Sequence, residues 1–118
     1  MNTVVTNEIT GASLASNQIT LPTGTYWIDA HSAYFLVANV QLRLQNITDA
    51  STTLTGIGLD DGDAAGGMSP LRGRFTIAAQ KVFEIQHRCG AGQTTNGFGD
   101  AGSFGTEVYS DICIWKVA

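Results

Sequence analysis

The residues with chemical capability fall into three groups. Asp60, Asp61 and Asp63 crowd into the stretch Asp60-Asp61-Gly62-Asp63. Calcium takes about six to eight oxygen ligands, so three carboxylates with nearby carbonyls could begin a cation site. Their spacing departs from the D-x-[DN]-x-[DN]-G order of a calcium loop, and a solvated acidic turn accounts for the stretch equally simply. His87 and Cys89 alternate with Phe83 and Ile85 and so share a strand face, and Cys113 and His31 could lie nearby. Such a set could ligate zinc, but a buried thiol and a hydrogen-bonded histidine on an apolar face are the commoner outcome. A Cys89–Cys113 disulfide is the remaining alternative for the thiols. The third group is the glycine-rich stretch from Gly90 to Gly105, where Gln93, Asn96 and Asp100 accompany Phe98 and Phe104. A ring to stack on a sugar, with amides and a carboxylate for its hydroxyls, would make a saccharide site from Gln93, Asn96, Phe98 and Asp100. The alternative is that the two phenylalanines pin the loop to the domain or to a neighbouring subunit, Phe104 more than Phe98.

Catalysis finds little support. Glycan cleavage needs two carboxylates across a cleft, and nothing in the spacing of Asp29, Glu84, Glu107 and Asp111 singles out a pair. There is no GxSxG elbow, no HExxH and no phosphate-cradling glycine loop followed by a helix. The expectation is a protein without catalytic residues or cofactor. Asn46-Ile47-Thr48 fits the glycosylation pattern, but its expected role is to end a strand with a turn at Asp49.

These residues must be held by strands. The 118-residue chain suits one domain, residues 1–118. Charged residues are only 14%, against about 25% in ordinary soluble domains, which suggests that part of the surface faces protein. Six basic residues against ten acidic give a net charge of −4 with no basic cluster, so nucleic acid and anionic lipid are not expected partners. No apolar run is long enough for membrane insertion as a helix.

Period-two alternation recurs along the chain, broken by Gly, Asn, Asp and Pro. Val40, Leu42 and Leu44 alternate with Gln41, Arg43 and Gln45. Between Thr25 and Ser32, Tyr26, Ile28 and Ala30 share one face, and Trp27, Asp29 and His31 the other. Further strands are expected at Thr3–Thr6, Gln18–Leu21, Thr52–Leu59, Arg74–Ala78, Lys81–Cys89 and Glu107–Val117. The two-residue Ala79-Gln80 link suggests a hairpin; Glu8–Asn17, Asp60–Pro70 and Gly90–Gly105 read as loops. About eight strands with turns between them imply an all-β sandwich or barrel.

The last strand is apolar on both parities, with Val108, Ile112 and Ile114 on one and Tyr109, Cys113, Trp115 and Val117 on the other. Such a strand must be covered on both faces. One cover is the opposite sheet; the other is a neighbouring subunit or local loops, and the low charge favours the subunit. Trp27, His31, Tyr109, Cys113 and Trp115 are the expected interface residues.

The segment LPTGTYWI (21–28) resembles a strand of complement globular-head (C-one-q) and tumour-necrosis-factor-like jelly rolls. In order, LPTGTYWIDAHSAYF, QLRLQNITD, LRGRFTIAAQKVFEIQHRC, TNGFG and VYSDICIWK resemble a C-terminal domain of phage and prophage tail-fibre proteins, over nearly the whole chain. The resemblance implies an antiparallel two-sheet jelly roll, assembled as a homotrimer at the tip of a longer fibre protein. It also implies location on the virion after assembly in the host cytoplasm, and attachment to a bacterial surface glycan or protein receptor. Upstream fibre segments would be further partners. A structural trimerisation cap without a ligand is the alternative, and a glycan-cleaving module a more distant one. The chain closes with ICIWKVA, not the aromatic-rich F-x-G strand of eukaryotic members, so their calcium sites are not carried over.

Overall fold

A computed structural model describes residues 2–60 and 66–118. Every regular element in it is a strand: β1 (Ser13–Ala15), β2 (Gln18–Leu21), β3 (Gly24–Phe35), β4 (Asn39–Asn46), β5 (Ser51–Thr55), β6 (Leu59–Asp60), β7 (Gly66–Ile77), β8 (Lys81–Cys89) and β9 (Ser110–Lys116). They form two antiparallel sheets, one ordered β1-β2-β8-β4-β5 with β6 also on β4, the other ordered β7-β3-β9. The architecture is an all-β, two-sheet arrangement consistent with a sandwich.

Alternation explains the layering. Leu42 and Leu44 are buried on β4, as are Phe83 on β8 and Ile19 and Leu21 on β2. Against them pack Tyr26, Ile28 and Ala30 of β3 and Leu71, Phe75 and Ile77 of β7, with Ile112 and Ile114 of β9 partly buried at the margin. Phe75 sits at the centre: its ring stacks on Tyr26 at 5.6 Å and meets Phe83 edge-on at 5.4 Å. The one polar atom of this trio is satisfied, since the Tyr26 hydroxyl donates to the Pro22 carbonyl at 2.6 Å. Burial holds its pKa above the usual phenol range.

The expected strands from Gln18, Thr25, Val40 and Lys81 are present, and the faces assigned on β3 and β4 are those observed. Thr52–Leu59 is broken into β5 and β6, which lie end to end along one edge of β4. Gly56 lies at the break and cannot carry a side chain, because a Cβ there would stand 2.4 Å from the Pro70 carbonyl oxygen. The turn after β4 is as expected: Asn46 Oδ1 accepts the Asp49 amide at 3.0 Å, and Asn46 Nδ2 donates to the Asp49 carboxylate at 2.8 Å. Lys81 Nζ joins the same carboxylate at 2.7 Å and holds its pKa below the ordinary value.

Several expectations are corrected. Thr3–Thr6 forms no strand; Val4 and Val5 are exposed, and a strand-forming composition without a partner edge leaves the backbone unpaired. The Glu8–Asn17 segment contains β1, which turns into β2 through Ser16 and Asn17, both at positive φ as a two-residue I′-type hairpin requires. Within Asp60–Pro70, residues from Gly66 onward belong to β7, which pairs with β3 over its full length from Gly24↔Ile77 to Phe35↔Gly66. Pro70 is tolerated because β7 is an edge strand, where a missing N–H costs no ladder bond. Ala79-Gln80 is not a hairpin: β7 and β8 lie in different sheets, so the link carries the chain from one layer to the other.

Candidate functional site

The three-stranded sheet has one face in the core and one face outward. Outward along β3 stand Trp27, Asp29, His31 and Ala33; opposite them are Trp115, Cys113 and Asp111 on β9, and Arg74, Arg72, Pro70 and Met68 on β7. Trp27 pairs directly with Trp115, and the two are 42% and 50% exposed. Tyr109, just before β9, continues this face, because its carbonyl accepts the Ala33 amide at 2.7 Å. All five expected interface residues, Trp27, His31, Tyr109, Cys113 and Trp115, thus share one outward surface. Cys113 is exposed and free.

Between the tryptophan pair and Tyr109 lies a chain of polar and charged groups that sequence reasoning did not assemble. Arg72 Nε donates to Asp29 Oδ1 at 2.9 Å; His31 Nε2 lies 3.6 Å from the same oxygen, and His31 Nδ1 lies 3.5 Å from Asp111 Oδ1. The parity of Asp29, His31 and Asp111 was legible. Arg72 was not, because its neighbours through Pro70 read as loop. Beyond His31, a small cavity of about 60 Å³ is bounded by Ala33, Met68, Val108 and Tyr109. The opposite face of the molecule is different in kind. Gln41, Arg43 and Gln45 alternate with Leu42 and Leu44, and across from them stand Arg88, Gln86 and Glu84. There Arg43 Nε donates to Gln86 Oε1 at 2.8 Å, and Gln18 and Gln86 both donate to Glu84, lowering its pKa.

The Gly90–Gly105 stretch is a loop, as expected, and backbone bonds fasten it. Ala91 donates to the Val37 carbonyl, and the Phe35 amide donates to the Gly97 carbonyl. Gly99, at φ +118°, lies where a Cβ would stand 2.9 Å from Tyr109 Cδ1, so the loop closes tightly on the aromatic end of the outward face. Gln93, Phe98 and Asp100 are exposed and Asn96 is half-buried, all within this one loop. Phe98 pins the loop by one side only: its ring lies 5.1 Å from the His87 imidazole and is 60% exposed. Phe104 does not. It is fully exposed, since the loop carries it away from the sheets before β9 begins.

The zinc set is not assembled. His87 lies on the core-facing parity of β8, opposite Leu42, whereas Cys113 and His31 lie on the outward face of the other sheet. Among the described residues, no three His, Cys, Asp or Glu side chains are placed to hold a metal ion. Asp60 lies in β6, and Asp61 and Asp63 fall outside the described residues. Of the other carboxylates considered, Asp29 and Asp111 flank His31, while Glu107 accepts the Ser103 amide at 2.7 Å.

His87 has a testable consequence. Its Nε2 is buried and makes no hydrogen bond among the described residues. Desolvation lowers its pKa. The unfolded chain therefore takes up the proton at the ordinary histidine value of about 6.5, before the folded chain does. Stability is full above that value and falls as pH drops through the lower folded value. His87→Leu should remove this component, so the melting temperature of the variant should decline less than wild type between about pH 7.5 and 5. Parallel declines would show that His87 does not contribute.

Comparison with protein-family models, curated proteins and solved structures finds no match to this chain.

Proposed function

We propose that this domain is the non-enzymatic head of a phage tail fibre or spike, self-associating as a homotrimer and attaching to the bacterial surface. The observation that carries the reading is the outward face of the three-stranded sheet. Trp27, Trp115, Val117, Met68 and Tyr109 are all more than a third exposed there, on a sheet whose other face already packs a core. A face of that composition matches the character of an association surface, with aromatic anchors around a cluster of polar and charged side chains. The trimeric number and the jelly-roll topology come from the resemblance of the ordered sequence blocks.

In this reading, the Gln93–Asp100 loop stands beside the association face and presents Gln93, Asn96, Phe98 and Asp100 to the receptor. Three weak sites on one rigid head, repeated over several fibres, convert modest affinities into firm adhesion. The purified domain should sediment at three times 12.4 kDa and adsorb to host envelope fractions. Combined alanine substitution of the four loop residues should reduce adsorption without changing the sedimenting mass. A monomer would remove the self-association, and unchanged adsorption would remove the loop's role. A trimerisation cap draws on the same exposed face and needs no receptor; a stable trimer that adsorbs to nothing would be that cap.

A further inference from the structure

We propose that an open depression at the end of the six-stranded sheet binds an acidic saccharide, with Arg88 taking its carboxylate or phosphate. The depression has a volume of about 500 Å³ and lies where β4 is flanked on both sides. Val40 pairs with Cys89 of β8 on one side and with Leu59 of β6 on the other. Glycines make it hollow. Gly58 and Gly90 line it where other residues would place side chains, and Gly90 is fastened by its amide to the Asn39 carbonyl at 2.8 Å.

The polar groups around it are arranged asymmetrically. Arg88 stands opposite Gln41, and Asn39 stands opposite Asp60. Arg88 is exposed, and its guanidinium makes no hydrogen bond or ion pair among the described residues, unlike Arg43 and Arg72. Gln41 is already oriented, because its Nε2 donates to the Gly56 carbonyl at 3.1 Å. A guanidinium without a protein anion is a ready bidentate partner for a carboxylate or phosphate. The amides of Asn39 and Gln41 suit hydroxyls, which have both donor and acceptor capacity. The chemistry that fits is an anionic group on a hydroxylated ring.

The position deepens the attachment reading, on which it rests: the depression lies beside the start of the Gly90–Gly105 loop. The test is an amide-resonance titration of the purified domain with glucuronic acid, glucose 6-phosphate and glucose. The two acids distinguish carboxylate from phosphate on one ring. The acids should bind in the millimolar range and perturb Asn39, Gln41, Gly58 and Arg88, with glucose at least about tenfold weaker. Arg88→Ala should weaken the acids about tenfold or more, and Arg88→Lys by less, since an ammonium keeps the charge and loses the fork. Gly58→Leu should block all binding while leaving the melting temperature near wild type. A Cβ there meets only Gln41 Nε2, at an ordinary 3.6 Å, and Gly58 is not at positive φ.

Equal affinity for acids and glucose, an Arg88→Ala variant that binds as wild type, or no binding by any of the three would overturn the proposal. Adsorption of the same preparation to host envelope separates the two readings. A domain that adsorbs but ignores the acids refutes this site and keeps the head; one that binds acids through Arg88 but does not adsorb keeps the site and refutes the head.

Discussion

Phe83→Ala should lower the melting temperature by about 10–20 °C, corresponding to a loss of about 3–5 kcal/mol. Phe83 is fully buried on β8, between Ile19 of β2 and Asn46 of β4, and its ring meets Phe75 of the opposite sheet edge-on. Phe75 in turn stacks on Tyr26. Removing the Phe83 ring takes away both its own burial and the contact through which the six-stranded sheet reaches that aromatic pair. The surrounding strands are fixed by ladder bonds, so the cavity closes only partly. Phe104→Ala is the internal control: the ring is fully exposed, and its loss should leave the melting temperature within about 2 °C. Similar melting for both variants would show that the core is not centred on this cluster.

The second large effect is on assembly. Trp27→Lys combined with Trp115→Glu should abolish self-association and yield a folded species of 12.4 kDa. The two positions are direct cross-strand partners on an outward face, so opposite charges there pair within the subunit and should leave the sheet intact. In the proposed trimer, the same change would replace two aromatic anchors with charges that must be desolvated, a cost of several kcal/mol at a packed contact. The expected readout is a single light species in sedimentation with wild-type far-ultraviolet circular dichroism. If the variant keeps the mass of the wild-type assembly, the tryptophan face is not where the copies meet.

The contrast between β3 and β7 shows what was readable and why. On β3, Tyr26, Ile28 and Ala30 alternate with Trp27, Asp29 and His31, so strand, faces and the outward tryptophan all follow from parity. The first part of β7, Gly66-Gly67-Met68-Ser69-Pro70, has glycine and proline where a strand is expected to show β-branched residues, and it reads as loop. It is a strand because β3 runs on to Phe35 and offers a ladder to pair with. The N-terminal Thr3–Thr6 is the converse: a favourable composition with no edge beside it.

The loop residues divide in the same way. That Gly90–Gly105 is irregular was evident from its glycines, but which phenylalanine anchors it was not. Adjacency to the last strand pointed to Phe104, whereas the fold brings His87 beneath Phe98. The Ala79-Gln80 link likewise has hairpin length, yet its flanking strands join different layers.

Side-chain alternation is local, with a period of two residues, and so the sequence alone determined the all-β class, the inward and outward faces of β3, β4 and β9, and the apolar surplus on both parities of the last strand. Strand partnership depends on which edges lie side by side, a property of contacts far apart in the chain. Only the tertiary structure therefore decided that Trp27 faces Trp115, that Arg72 reaches Asp29, and that Arg88 stands over a glycine-floored hollow.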